Sequence, residues 1–254
     1  MSRPMKKWTS RAAVLLASAV VASPLAAQQK TDSLFSLSRL SGSVHIGQFS
    51  LSGGSEAFEL FDAALSSGTS ALSPRVTGAA LRWRARERLY IVASAEMGKR
   101  TMNTTSQVQA TNASGASAQE TTLELNGMQT IGAQWHAWTW KAKGEAATSV
   151  RAERLKLFAG AGLGRATYAL RQTGTFVDAA RRVAFTDDLQ SKGSGSIGYL
   201  NATAEVPVTR WAAVQLDLRR QFGGAGMNGD FSTFDKLDLS GTRYSLGVVI
   251  SPWR

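Results

Sequence analysis

The chain has 254 residues, of which 43% are hydrophobic and 19% charged, with a formal net charge of +11. That length is enough for one domain. It contains no cysteine, which excludes disulfide staples and thiolate metal centres.

The first segment predicts export. Arg3, Lys6, Lys7 and Arg11 come without an acid, the apolar run AAVLLASAVVA follows at 12–22, and small residues lead to Ala27. This is the form of a secretory signal peptide over 1–27, cleaved after Ala27. A membrane-anchoring helix needs about 20 apolar residues, more than this run supplies. The leader takes four of the 29 basic residues and none of the 18 acids, so the remainder carries 25 bases against 18 acids. Residues 28–38 read as a short periplasmic segment ahead of the first strand. Nothing after the leader offers a helical span, so any insertion into a membrane must use strands.

From Arg39 onward, eight runs alternate with period two, at 39–50, 74–85, 88–99, 121–138, 155–169, 193–208, 211–222 and 241–253. The connections alternate in length. RE (86–87), the stretch 139–154 and TR (209–210) are the shorter set. Longer stretches at 51–73, 100–120, 170–192 and 223–240 are rich in Ser, Thr, Gly, Asn and Asp. Short turns alternating with long loops around an even number of strands is the layout of an outer-membrane barrel. The expected fold is therefore all-β, an eight-stranded antiparallel up-and-down transmembrane barrel over 39–254 with three periplasmic turns and four extracellular loops.

Strand faces follow from parity. In WAAVQLDLRRQF (211–222), Val214, Leu216, Leu218 and Phe222 share one side, opposite Gln215, Asp217, Arg219 and Gln221. The fourth run sets Leu123, Leu125, Ile131, Ala133 and Trp135 against Glu124, Asn126, Thr130, Gln134 and His136. Alternation alone does not separate lipid from a soluble core; tryptophan does. Trp83, Trp135, Trp138, Trp140, Trp211 and Trp253 all fall at strand ends on the short-turn side or in a turn. Membrane proteins collect tryptophan at the interface, where the ring is apolar and the N–H meets water. Tyr168 and Phe222 mark the opposite rim more weakly. The apolar faces are then expected to meet lipid and the polar faces the lumen.

On these residues, and on LKLFAGAGLGRATYAL (155–170) and the terminal GTRYSLGVVISPWR, the chain resembles the small eight-stranded outer-membrane barrels of the OmpA/OmpX/OmpW-like group. Such barrels usually end on an aromatic residue read by the barrel-assembly machinery; here Trp253 is penultimate, before Arg254. The resemblance implies outer-membrane residence, no cofactor, and roles in envelope integrity, surface contact or minor permeability.

The lumen is expected to carry Arg82, Arg84, Glu96, Glu124, Lys156, Glu205, Asp217, Arg219 and Arg243. A charge in a narrow lumen is costly unless paired, so near-balance predicts a salt-bridge plug rather than a selectivity ring of one sign. Gly160, Gly162 and Gly164 lie inside a strand, where small residues leave room for bulky neighbours, and do not form a phosphate loop. His45 and His136 face inward without a serine motif beside them. EAFELFDAAL (56–65) is either a short helix over the barrel mouth or an extension of its hairpin. Arg181 and Arg182 sit in the third long loop, as a solvated pair or as a contact for lipopolysaccharide phosphates. The expected protein is non-catalytic, without metal or nucleic acid, with outer-membrane lipid as a partner and an unidentified extracellular ligand. The alternatives are a narrow channel for small or apolar solutes, a lipid-modifying enzyme, and a soluble periplasmic ligand-binding barrel.

Overall fold

The structure is a computed structural model that describes residues 37–106, 117–141, 153–178 and 180–251. The expected leader, residues 28–36, the turn 142–152 and Pro252–Arg254, with Trp253, lie outside the described residues. In chain order the elements are β1 (Leu40–Leu51), α1 (Glu56–Ala64), β2 (Arg75–Arg84), β3 (Leu89–Thr105), β4 (Ala118–Lys141), β5 (Glu153–Val177), β6 (Ala184–Pro207), β7 (Ala212–Gly226), β8 (Lys236–Asp238) and β9 (Gly241–Ile250). Each strand from β1 to β7 pairs antiparallel with the next. β7 pairs with β9, and β9 pairs back onto β1. Eight strands thus close into a ring, and β8 is a three-residue flap on Gly224–Gly226 of β7. Closure removes the unpaired edge that any open sheet keeps.

The short turns are tight. Ala85 and Arg86 both donate their backbone N–H to Leu89, at 2.9 and 3.1 Å, and Val208 and Thr209 do the same to Ala212. The long-loop end departs from expectation. Residues 100–120 and 170–192 were expected as loops, but β3 runs to Thr105, β4 starts at Ala118, β5 runs to Val177 and β6 starts at Ala184. A Ser/Thr-rich composition reads as loop, yet threonine is β-branched and favours a strand when it has a partner. Thr101 and Thr122 meet hydroxyl to hydroxyl at 2.9 Å, Arg171 forks onto Asp188 at 2.6 and 2.8 Å, and Phe176 stacks on Phe185 at 5.8 Å. Within the segment 56–65, Glu56–Ala64 is a helix and Leu65 caps it in an extended conformation. Glu56 and Glu59 lie in its first turn, where they complement the helix dipole.

One extra residue in β4 reshapes the predicted faces. Across β3–β4 the register passes from Glu96↔Met128 to Gly98↔Leu125, and across β4–β5 from Leu125↔Tyr168 to Gly127↔Thr167. Both neighbours therefore see a bulge at Asn126–Gly127, which reverses parity on its Ala118 side. Leu123 and Leu125 are buried inside, while Asn126 is exposed and Glu124 turns outward. A second bulge between His136 and Trp138 lets Trp135, Trp138 and Trp140 all face outward despite mixed parity.

The outer wall is apolar all the way round. Val44, Ile46, Ile131, Leu163, Leu200, Leu216 and Leu246 are exposed by 56–71%. Water-soluble monomers do not present a continuous apolar girdle of this size. Val214, Leu216 and Leu218 are exposed, whereas Asp217, Arg219 and Gln221 are buried. A charge facing lipid at mid-depth costs about 2–4 kcal/mol, and an amide inside the ring is replaceable. Leu216→Arg is therefore expected to lower folding yield into lipid vesicles sharply, with Gln215→Ala near wild type. Equal yields on a heat-modifiability gel would contradict the outward assignment of Leu216.

Candidate functional site

The interior is the candidate site, and it is built in three storeys. At the short-turn end Arg82 binds Glu205 at 2.5 Å and lies over the Phe158 ring at 4.8 Å and the Tyr90 ring at 5.4 Å. His136 stacks on Phe158 at 5.0 Å, and its Nε2 meets Thr139 Oγ1 at 2.7 Å. Lys156 is buried and lies opposite Glu205 in the β5–β6 register.

The middle storey joins β3, β7 and β9. Arg243 bridges two acids, with one guanidinium nitrogen on Glu96 and the other 2.8 Å from Asp217. Arg219 reaches Glu96 at 3.2 Å and lies 4.1 Å over the Tyr199 ring. Asn201 and Thr203 donate to the remaining Asp217 oxygen at 2.8 and 2.7 Å. His45 Nε2 stands 3.4 Å from Glu96. Bulky groups fit here because facing positions are glycine. A Cβ on Gly162 would come within 2.5 Å of the Tyr199 ring, and one on Gly78 within 2.5 Å of Glu96 and 2.8 Å of His45. Beside the cluster lies a cavity of about 30 Å³, bounded by His45, Gln134, Asp217, Arg219 and Arg243 among others. That is room for roughly one water.

The upper storey is apolar. Phe49, Val76, Leu125, Met128, Leu170 and Ile197 from the strands join Phe58, Phe61 and Leu65 of the α1 region in one buried cluster. Phe61 meets Phe231 edge-on at 6.3 Å. Asp62 ties the helix to the chain after it by accepting from the Thr69 N–H and hydroxyl at 2.5 and 2.7 Å. Tyr168, expected at the outer rim, is fully buried here with its hydroxyl on Ser191 at 3.0 Å. Across the top, Asp238 accepts from the Ser240 N–H at 2.8 Å and the Ser52 hydroxyl at 3.0 Å. Burial raises its carboxyl, but these hydrogen bonds outweigh it and hold the pKa below the ordinary aspartate value. A lowered folded pKa stabilises this tie at pH above the unfolded value, and the contribution is lost as pH falls through the folded one.

Of the nine charges expected inside, seven are enclosed: Arg82, Glu96, Lys156, Glu205, Asp217, Arg219 and Arg243. Glu124 is not among them. The β4 bulge turns it out, where it pairs with Lys99 at 2.6 Å. Arg84 shares the parity of Arg82 but ends β2, where the wall stops and its side chain is exposed. Four of the tryptophans, Trp135, Trp138, Trp140 and Trp211, are about half exposed, and Trp83 is partly buried. Sequence reasoning missed the apolar storey. Its signal was the helical spacing of Phe58, Phe61 and Leu65, which needs an apolar surface to rest on. Among the described residues no group of three His, Cys, Asp or Glu side chains is placed to hold a metal.

No family model matches the chain, and no curated protein matches it. Its arrangement is that of a small closed antiparallel β-barrel. Among solved structures the chain is similar to Neisserial surface protein A, at 10% identity and a TM-score of 0.43, covering 84% of this chain and 96% of that one. It is similar to the outer membrane protein OprG of Pseudomonas aeruginosa, at 10% identity and 0.42, covering 83% and 94%. The N-terminal barrel domain of OprF from the same organism gives 10% and 0.36, covering 84% and 96%. The fold assignment rests on this chain's own ring of strand pairs.

Breaking a buried ion pair costs about 3–5 kcal/mol, because the partner's charge stays behind unpaired. Arg243→Leu strands parts of both Glu96 and Asp217, so it is expected to lower the unfolding free energy by that order. Arg220→Gln, on the exposed face one residue from Arg219, should change it by less than about 1 kcal/mol. Urea unfolding from detergent micelles reads both. Similar midpoints for the two variants would contradict the central role of the cluster.

Proposed function

We propose that the protein is a non-catalytic integral protein of the outer membrane that reaches it by signal-peptide export. In this reading its long connections face outward and its lumen is closed. One observation carries the reading: a sheet without edges that is apolar outside and packed with paired charges inside. The apolar exterior suits lipid, and an eight-stranded ring is only wide enough for its own side chains. The tryptophans at the short-turn end support that end as the periplasmic interface.

Closure is supported at two depths, by the Arg243 cluster and by the α1-capped apolar storey above it. A narrow channel would need a continuous polar path, and the upper storey interrupts one. Each histidine is engaged in packing, His136 on Phe158 and His45 against Glu96, which favours a structural role over acid–base work. The working surface is then the long-connection end, suited to envelope structure or contact with an external partner. Assembly would proceed through the C-terminal strand and the barrel-assembly machinery.

Purified protein in a planar bilayer is expected to give no steady single-channel current. Replacing Glu56–Ala64 with a Gly/Ser linker should leave it silent as well, because the charge cluster still fills the ring beneath. Steady currents from the wild-type protein would favour the channel, and recovery of the protein from the soluble periplasmic fraction would contradict membrane residence.

A further inference from the structure

The two ends of the barrel differ in how their cations are satisfied. Toward the long connections most are engaged: Lys99 with Glu124, Arg171 with Asp188, Arg165 on the Ser194 hydroxyl, and Arg220 on Thr242. At the short-turn end Arg84, Arg86, Arg88, Lys141, Arg154 and Arg210 are all exposed. None of these six forms an ion pair with a described residue. The acids beside them in the chain are Glu87 and Glu153. Such a concentration of unpaired positive charge repels itself unless an anion lies against it.

Their depth says which anion. The six lie at strand ends or in turns on the short-turn side, as do the exposed Trp135, Trp138, Trp140 and Trp211. Aromatic belts sit at the height of lipid headgroups, so guanidinium groups beside them meet the phosphodiester layer of the adjoining leaflet. Arginine donates bidentately to phosphate oxygens, and its stem packs along the apolar edge.

We propose that this short-turn rim is a binding surface for anionic phospholipid headgroups, of the phosphatidylglycerol class. The proposal rests on the membrane reading above and adds the lipid class and the residues that select it. The exposed tryptophans supply a built-in reporter. The protein is reconstituted in phosphatidylcholine vesicles containing either brominated phosphatidylglycerol or brominated phosphatidylcholine, and tryptophan quenching is compared. Each cation at a charged surface contributes on the order of a fivefold preference, so quenching should report severalfold enrichment of phosphatidylglycerol at the rim. The preference should fall toward one in the variant Arg84→Gln/Arg86→Gln/Arg88→Gln/Arg210→Gln. It should also fall in 1 M salt, where screening acts within about 3 Å. Arg75→Gln/Lys192→Gln, at the other end, should retain it. If the fourfold variant inserts poorly, Arg86→Gln/Arg88→Gln alone must lower the preference.

No preference in wild-type protein that inserts normally into phosphatidylcholine overturns the proposal, as does a preference that survives the rim variants. Loss of the preference on adding soluble glycerophosphoglycerol would assign the rim to free phosphodiesters and overturn the lipid assignment. A protein that fails to insert into phosphatidylcholine overturns the membrane reading itself, and the rim proposal with it.

Discussion

A ring of eight strands leaves an interior that side chains must fill, and whatever charge enters it must find its partner there. In this protein that demand falls on Arg243, which holds Glu96 and Asp217 together while Arg219 neutralises Glu96 from the neighbouring strand. The rest of the lumen is arranged around the cluster. Gly78 gives Glu96 and His45 their space, and Gly162 gives space to the tyrosine under Arg219. Asn201 and Thr203 occupy the acceptor sites on Asp217 that the arginines leave. The cluster also fixes register. It unites residues of β3, β7 and β9, so slipping one strand by a residue would turn a charge onto the apolar outer face.

Much of this was legible because period two is a strong signal. β7 and β9 carry it without interruption, and their faces fall where alternation puts them, with Leu216, Leu218 and Leu246 outside and Asp217, Arg219 and Arg243 inside. Parity failed where the backbone stopped counting by twos. The bulge at Asn126–Gly127 has no mark in a single sequence beyond a glycine after an asparagine, and it moved Glu124 out and Leu125 in. Arg84 failed for a different reason: parity gives direction but not height, and its height is the open mouth. The extended hairpins were hidden by composition, since Thr101, Thr122, Arg171 and Asp188 are polar residues that reveal a strand only through their cross-strand partners.

The barrel has two chemically distinct ends. The long-connection end is finished like a small globular protein. Helix α1 and the segment around Phe231 close over an apolar core, and Ser52, Asp238 and Ser240 tie the first and last long connections together. The short-turn end carries exposed cations and half-exposed tryptophans. Between them lies the charge cluster, enclosed from both sides. If the lumen is closed, as proposed above, the exterior wall and the two rims are the surfaces left for the protein to act through.

The central claim is that a lipid-facing wall and a closed, charge-filled interior alternate residue by residue along each strand. The chain has no cysteine, so single cysteines can be placed one at a time from Ala213 to Phe222 and labelled with a nitroxide in reconstituted vesicles. Collision with oxygen, which concentrates in lipid, is compared with collision with a water-soluble nickel chelate. Labels at Val214, Leu216 and Leu218 are predicted to favour oxygen strongly, while labels at Gln215 and Gln221 meet neither reagent well. Efficient nickel collision at Gln215 and Gln221 would mean an open aqueous lumen, and efficient nickel collision at Leu216 and Leu218 would mean that the wall does not face lipid.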